Sequence, residues 1–247
     1  MGPTLPERAE HALAVLHRVR AGGERFVGAF LPDAPARRMQ AAAVADEWSA
    51  ANLDARHAGG PLWVVLGDGA SLGLGASTRD AAYVRLVAEV LGDDGTPWRV
   101  VNLASDGADI DDVLNRQLPE LVALSAQRPA DLVTCVVGTT DVRGRPRGVE
   151  ARLRALLAAL PEGAVIATLP PVWSTGTSAA LNAVVREEAV RRGLRVAHVW
   201  DASPRRGRWC GAFYQPNDLG HARWAAAVLA AVRGDVAERD ASGAAAG

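Results

Sequence analysis

One stretch, Leu62 to Gly75, constrains the fold more than any other part of the 247-residue chain, and it reads LWVVLGDGASLGLG. Its first five residues form an apolar run that is long enough for a buried strand and too short for a helix. The run ends at Gly67-Asp68-Gly69, and a helical pattern begins near Ser77. Such a strand–turn–helix order predicts a loop at the carboxyl edge of a parallel sheet, where open α/β folds place their ligand sites.

Apolar runs alternate with helix-like stretches along the rest of the chain. Strict alternation of this kind predicts an α/β fold, with a parallel sheet covered by helices on both faces. The predicted strands are Leu62–Leu66, Trp98–Leu103, Leu132–Val137, Ala164–Leu169 and Leu194–Trp200, and the predicted helices lie near 78–91, 110–127, 147–160, 178–192 and 218–233.

Two segments flank this alternating region, residues 61–234. Residues 1–60 are expected to form an N-terminal helical extension that packs on the main domain, with a partner-binding arm as the alternative. The tail, 235–247, is rich in alanine, glycine and charge and is expected to be disordered. Within the extension, helical periodicity extends over 5–20 and 36–56, and the second stretch can bring five apolar residues to one face: Met39, Ala43, Val44, Trp48 and Leu53.

The charge balance excludes some functions. A formal net charge of −1 argues against a nucleic-acid or anionic-membrane surface, since either needs a clear basic excess.

Two cysteines do not make a disulfide framework in a chain of this length, and Cys135 lies within a predicted strand as a buried thiol. The N-terminus lacks the apolar segment of a secretion signal, and no run approaches the ~20 apolar residues of a membrane span. A cytoplasmic protein is expected.

Several short motifs occur in a common register after successive strands. They are the GDxxxxGxGAS phrase from Gly67, Val101-Asn102-Leu103 followed by Ser105 and Gly107, the Gly138–Asp141 turn, and Pro216-Asn217-Asp218 with Gly220. Together they resemble the SGNH (GDSL-type) hydrolases over roughly residues 40–232. The resemblance implies a flavodoxin-like, three-layer α/β/α fold, with a five-stranded parallel sheet in the order 2-1-3-4-5.

The same resemblance implies a catalytic apparatus from which this chain departs. The family attacks its substrate with a serine that a histidine and an aspartate activate, and holds the oxyanion with the serine amide, a glycine amide and an asparagine side chain. Of these positions only the oxyanion glycine is matched, by Gly107. Gly69 stands for the nucleophile, Thr140 for the asparagine, Ala212 for the aspartate and Gln215 for the histidine.

A substitute nucleophile would have to come from the same loop. Ser71 lies two residues after Gly69, and His198 and His221 are the histidines beyond the extension. His198 belongs to a strand-like run, where a structural role is the more common one. His221 follows the position of the family base by six residues, so that pairing Ser71 with it would need both groups to move.

The polar residues near the expected pocket form the candidate site, and most have a structural alternative. Asp68 and Asp141 can bind loop amides, Asn217 or Asp218 can cap the last helix, and Asn102 can complete a strand end. Asp106 beside Gly107 could act as an acid or a base if it is desolvated. The candidate catalytic residues are Asp106, Thr140, Gln215 and Ser71, and the candidate substrate-binding residues are Asp68, Gly69, Gly107, Asn102, Thr139, Tyr214 and Trp173.

No motif in the sequence predicts a metal or a cofactor. There is no HExxH and no cysteine pair at zinc spacing, and the aspartates Asp109, Asp111 and Asp112 lack the EF-hand register. The glycines from Gly67 onward do not complete G-x-G-x-x-G, because the sixth position of that motif is Leu72.

Three functions of different classes follow from these observations. The first is a repurposed enzyme whose pocket binds a small organic molecule and performs acid/base chemistry, as in a cyclase, isomerase or dehydratase. The second is a pseudoenzyme that binds a ligand or a protein without turnover. The third is a residual esterase that uses Ser71. The residues favour the first slightly over the second, with a small molecule as the expected partner; the oligomeric state stays open.

Overall fold

The computed structural model describes residues 34–93, 95–144, 147–170, 175–199 and 215–234. These residues form a five-stranded sheet in the order β2-β1-β3-β4-β5, and every neighbouring pair is parallel. The α/β fold class and the 2-1-3-4-5 order are therefore confirmed. The strands are β1 Leu62–Gly67, β2 Arg99–Asn102, β3 Leu132–Val136, β4 Val165–Ala167 and β5 Arg195–Ala197.

The fourth and fifth strands are shorter than their apolar runs predict. β4 and β5 have three residues each, whereas the runs extend over six and seven residues. The apolar residues beyond the paired segments, such as Leu169 and Val199, are still buried, so their apolar character reflects burial rather than strand pairing.

Alternation along β1, a strand inside the sheet, divides the core into two layers. Trp63 and Val65 belong to the apolar cluster on one face of the sheet, and Leu62, Val64 and Leu66 belong to the cluster on the other. All six residues of β1 are buried, as expected for a strand covered on both faces.

The helices cover both faces. α3 and α9 pack against each other on one side, and α7 and α8 on the other. The segment from Ile110 to Gln127 is helical throughout, but its hydrogen-bonding pattern widens to a π-helix at Val113–Gln117. The helices are α1 Ala34–His57, α2 Gly69–Leu72, α3 Tyr83–Leu91, α4 Ile110–Asp112, α5 Leu118–Gln127, α6 Thr139–Gly144, α7 Val149–Ala159, α8 Thr175–Arg192 and α9 Asp218–Arg233.

α1 packs along the edge strand β2. The side-chain amide of Asn52 donates to the carbonyl of Asn102 and accepts from its N–H, both at 2.8 Å. Arg99 reaches back from β2 to the carbonyl of Ala55 at 3.0 Å. The Asn52 bonds use backbone groups that an uncovered edge strand would leave unpaired, and the Arg99 bond provides a donor for a carbonyl near the end of α1.

The predicted buried face of α1 is partly wrong. Met39 and Leu53 are 74% and 62% exposed, whereas Ala41, Trp48 and Ala55 are buried. Buried positions recur every seven residues along the helix, with small side chains at both ends, because α1 lies close to the strand that it covers. Of the five residues predicted for this face, Trp48 is buried, whereas Met39, Ala43 and Leu53 lie on the solvent side.

Two features predicted near the ends of the chain lie outside the described residues. They are the helix at 5–20 and the disordered tail at 235–247. Among the residues that the structure describes, no helix combines the length and hydrophobicity needed to cross a membrane.

Candidate functional site

The first strand ends in a turn that forces the chain directly into α2. Gly67 has a φ of +145°, and a Cβ at this position would lie 2.3 Å from the carbonyl oxygen of Val136. Gln117, from the π-helical segment, accepts from the Gly67 N–H at 2.8 Å and donates to its carbonyl at 2.9 Å. Asp68 then caps α2 by accepting from the Ala70 N–H at 3.0 Å. The turn is therefore fixed from both sides.

Gly69 is the point at which three loops meet. A Cβ built on Gly69 would lie 2.9 Å from Oδ1 of Asp106 and 3.1 Å from Nε2 of Gln215, with Cδ1 of Leu74 at 2.8 Å. The structure thus brings together three residues that the sequence proposed for the site. They come from the loops after β1 and β2 and from the segment before α9. The space beside Gly69 is filled by the ends of these side chains, which can shift.

Gln215 is held in place by the segment around it. Gly75 has a φ of +89°, and a Cβ there would lie 2.4 Å from the carbonyl oxygen of Pro216, so the two loops touch. Asp218 accepts from the backbone N–H and the hydroxyl of Ser77, at 2.7 and 2.6 Å. Asn217 caps α9 by accepting from the Gly220 N–H at 3.1 Å, which is the structural role foreseen for it.

The loop that carries Asp106 and Gly107 begins beside Gly67 and ends at α4. The Ser105 N–H donates to the Gly67 carbonyl at 3.3 Å, and Asp109 closes a capping box with Asp112 at the start of α4. Asp106 and Gly107 lie at the exposed tip. The prediction that Asp106 could be desolvated is therefore wrong, because Asp106 is exposed to solvent.

Asp141 ties the Gly107 loop to the Thr139–Thr140 turn. Its carboxylate is fully buried, and it accepts from the Ile110 N–H and from Arg152, both at 2.9 Å. Burial raises the pKa of Asp141 above its ordinary value, and the hydrogen bond from Arg152 opposes this rise. Thr139 and Thr140 are half-buried at the start of α6. Their hydroxyls form no hydrogen bond with the part of the chain that the structure describes.

Ser71 lies on the inner side of α2, away from solvent. It is 0% exposed, and its hydroxyl hydrogen-bonds to Oη of Tyr83 at 2.8 Å. His221 is also 0% exposed, and the two ring nitrogens contact the Tyr83 N–H at 3.2 Å and the Leu74 carbonyl at 3.1 Å. Nδ1 therefore accepts and Nε2 donates, so both are engaged by backbone, and neither contacts Ser71.

Burial controls the ionisation of this inner cluster. It lowers the pKa of His221 to about 4, so that the ring is neutral over the physiological range. Burial also raises the pKa of Tyr83, whose ring stacks on His221 at a centroid distance of 6.1 Å. Three groups that resemble a nucleophile, an acid and a base are thus held as neutral packing groups.

The other predicted site residues have structural partners or lie outside the described ranges. Asn102 donates to the Ser71 carbonyl at 2.8 Å and accepts from the Ala104 N–H at 3.1 Å, so it completes a strand end. Tyr214, Trp173 and Ala212 are outside the described residues. Within the described ranges, no three histidine, cysteine, aspartate or glutamate side chains are grouped as a metal site would need.

Sequence reasoning missed three residues that shape the site. Gln117 binds the backbone of Gly67 in the turn after β1, and Asn52 binds the backbone of Asn102 at the end of β2. Tyr83 binds the hydroxyl of Ser71 in α2. No local signal distinguishes Gln117, since the polar residues Asn115 and Arg116 directly precede it.

The family model described as GDSL-like Lipase/Acylhydrolase matches residues 65–223, more than half of the chain. The chain belongs to this family. The match begins inside β1 and ends in α9, so it covers the sheet, the Gly69 turn and the Gln215 segment. Family membership confirms the resemblance that the sequence motifs indicated.

Solved structures agree with the fold. TesA is 22% identical with a TM-score of 0.56, over 70% of this chain and 98% of that one. The acetylxylan esterase Axe2 from Geobacillus stearothermophilus is 21% identical with a TM-score of 0.55, over 70% and 94%. The lipase/acylhydrolase from Enterococcus faecalis is 19% identical with a TM-score of 0.58, over 71% and 96%. No curated protein sequence matches the chain.

Proposed function

We propose that this protein is a non-hydrolytic enzyme of the GDSL-like family that binds a small carbonyl compound beside Gly69 and performs acid/base chemistry on it. The observation that carries the proposal is the environment of Gly69. A side chain at this position would point at the amide of Gln215 and the carboxylate of Asp106, at 3.1 and 2.9 Å, instead of at an imidazole.

The residue types at these positions support a change of chemistry. Glycine has no atom with which to attack a carbonyl carbon, and a glutamine amide neither takes up nor releases a proton near neutral pH. Gln215 and Thr140 keep hydrogen-bonding groups at positions where the family reads histidine and asparagine. A pocket that has lost its nucleophile and kept its polar lining is suited to binding and orienting a polar molecule.

Proton transfer next to a carbonyl is the reaction that this lining supports best. The Asp106 carboxylate would remove a proton from the carbon adjacent to the carbonyl group. The charge that develops on the carbonyl oxygen would be stabilised by the Gly107 amide, the Thr140 hydroxyl or Gln215 Nε2. Isomerisation of a keto acid, dehydration of a β-hydroxy carbonyl compound and cyclisation through an enolate all begin with such a step. A carbonyl substrate also agrees with the acetylxylan esterase among the structural neighbours, since an ester presents the same group.

The test is exchange of substrate protons with deuterated water. A panel of small keto and hydroxy acids is incubated with the full chain in deuterium oxide, and loss of the proton signal next to the carbonyl is followed by NMR. We expect exchange with at least one compound, slowed by about a hundredfold or more in Asp106→Asn. Asp131→Asn, a change at an aspartate on a different loop, is the matched control. Exchange of equal rate in Asp106→Asn would overturn the role of Asp106.

A pseudoenzyme is the second candidate, and the exposure of Asp106 favours it. A carboxylate in contact with water is a weak base for a carbon-bound proton, whereas the polar lining would still bind a ligand. In this case compounds from the same panel would raise the melting temperature, and Gln215→Ala would abolish the effect, without any exchange.

The third candidate, an esterase that uses Ser71, is tested separately. Hydrolysis of p-nitrophenyl acetate that disappears in Ser71→Ala would support it and overturn the proposal. The burial of Ser71 and its bond to Tyr83 argue against attack on a substrate.

A further inference from the structure

A second pocket lies between α1 and the segment that follows α2. Its volume is about 180 Å³, and none of the residues that meet at Gly69 belongs to its lining. Its polar and aromatic walls are formed by Gln40, Glu47 and Trp48 from α1, and by Thr78, Arg79 and Arg85 from the opposite side. The pocket therefore has its own chemistry.

Arg85 is the central cation of this pocket. Its guanidinium lies 4.2 Å from the centre of the Trp48 ring, at the distance of a cation–π contact. Its Nε is buried and has no hydrogen-bond partner among the residues that the structure describes. A buried donor without an acceptor costs free energy, because it has lost water and gained nothing in exchange.

The charges near Arg85 balance, two guanidinium groups against the carboxylates of Glu47 and Asp80, but only one of these carboxylates belongs to the pocket lining. Burial lowers the pKa of Arg85 to about 10, and the neighbouring charge of Arg79 acts in the same direction, whereas Asp80 and Glu47 act against it. Glu47 lies 3.9 Å from Arg79, at the limit of an ion pair. The lining thus contains two guanidinium groups and one carboxylate. An added negative charge would be stabilised there.

The other lining residues determine which hydrogen-bond donors a ligand in the pocket could use. The indole N–H of Trp48 donates to the Leu72 carbonyl at 2.9 Å, so Trp48 presents only its ring. Both donors of Ser77 bind Asp218. The Thr78 hydroxyl forms no cap with the turn that follows it, which leaves this hydroxyl and the two guanidinium groups as donors. All three favour an acceptor of negative charge.

We infer that this pocket binds a small oxyanion, a carboxylate or a phosphate group, between Arg79 and Arg85. The volume corresponds to about six water molecules at ~30 Å³ each, which suits an anionic group with a few further atoms. An uncharged apolar ligand of this size would leave the lining with one guanidinium group more than it has carboxylates. The inference does not depend on the function proposed for Gly69.

Calorimetric titration of the full chain tests the inference with two probes, inorganic phosphate and acetate. Both are compared with chloride at equal ionic strength. We expect saturable binding of at least one probe, weakened tenfold or more in Arg85→Met and in Arg79→Met. Arg186→Met, at an exposed arginine of α8, is the matched control and should bind as the wild type does. Stronger binding of phosphate would identify a phosphate ligand, and stronger binding of acetate a carboxylate.

Two results would overturn the inference. One is the absence of saturable binding of both probes to the wild type. The other is wild-type affinity in Arg85→Met with cooperative unfolding retained. Because Arg85→Met could disturb the packing of Trp48, Arg85→Lys is measured as well. Lysine keeps the charge and the apolar stem but lacks the planar, several-donor fork of the guanidinium, so weakened binding by a well-folded Arg85→Lys supports the inference.

Discussion

Gly69 and Ser71 are two residues apart in the same four-residue helix and both are buried, yet they have different neighbours. Gly69 is next to Asp106 and Gln215 and carries no side chain. Ser71 carries the hydroxyl that a hydrolase would need, and it is sealed against Tyr83 inside the core. The contrast shows that a serine can act as a nucleophile only if its hydroxyl is accessible to the substrate, which the hydroxyl of Ser71 is not. The inner side of α2 should determine stability, and the side that carries Gly69 should determine ligand binding.

The largest effect is expected for Gly67→Ala compared with Gly107→Ala. A methyl group on Gly67 would meet the Val136 carbonyl at 2.3 Å and Ser71 Oγ at 2.6 Å, whereas at Gly107 it would meet nothing within 4 Å. Both glycines have positive φ, so alanine at either position destabilises the folded state by roughly 1 to 2 kcal/mol through backbone conformation. At Gly67 the clash adds a further loss. Urea unfolding should give a loss of more than about 4 kcal/mol for Gly67→Ala. Equal losses would contradict the contrast.

The next effect is the dependence of stability on pH that His221 causes. Its pKa is about 4 in the folded state and 6.5 when the chain is unfolded. Above pH 6.5 both states carry a neutral ring. As the pH falls from 6.5 to 4, the unfolded state binds a proton that the folded state does not, so stability decreases by roughly 3 kcal/mol.

The measurement for His221 is the free energy of unfolding at several pH values, for the wild type and for His221→Gln. The slope between pH 4 and 6.5 should be smaller in the variant, because glutamine does not titrate. An unchanged slope would mean that His221 binds protons equally in the folded and the unfolded chain, which would contradict its burial as a neutral ring.

Gln117→Met should destabilise the protein by about 2 to 3 kcal/mol, because it leaves the N–H and the carbonyl of Gly67 buried without their partners. Methionine has a similar volume, so the packing is retained. The matched control is Gln127→Met at the end of α5, which is exposed and should change stability by less than about 0.5 kcal/mol. A cost at Gln117 no larger than this would show that water replaces the lost bonds.

The smallest effects compare the two sides of α2 directly. Ser71→Ala should cost about 1 to 2 kcal/mol, because the hydroxyl of Tyr83 loses its partner in the core. Gln215→Ala and Asp106→Asn should each stay within about 0.5 kcal/mol of the wild type, since both residues lie at least partly in solvent. Thermal unfolding measures all three. A larger loss of stability for Gln215→Ala than for Ser71→Ala would contradict the view that the Ser71 side of α2 determines stability and the Gly69 side determines ligand binding.

The fold could be predicted because each strand of the sheet has a local apolar pattern, and because short motifs recur in the family register. The cap formed by Asn217 could be predicted for the same reason, since capping is local. The roles of Asn52 and Gln117 could not be predicted. Each binds backbone 50 positions away, and no periodicity records such a pairing.

The candidate site was predicted in part. Family register placed Gly69 and Gln215 on loops that the structure brings together, whereas the exposure of Asp106 depends on how its loop leaves β2. The solvent-facing positions of Met39 and Leu53 were missed, because the buried positions Ala41, Trp48 and Ala55 include two alanines that hydrophobicity alone does not single out.

Labelling by a serine-directed organophosphate tests the central claim most directly. The native full-length protein is incubated with diethyl p-nitrophenyl phosphate, and its intact mass is then measured. We predict no covalent adduct, since Gly69 has no hydroxyl and Ser71 is buried against Tyr83. A stoichiometric adduct that disappears in Ser71→Ala would contradict this account and identify the protein as a serine esterase.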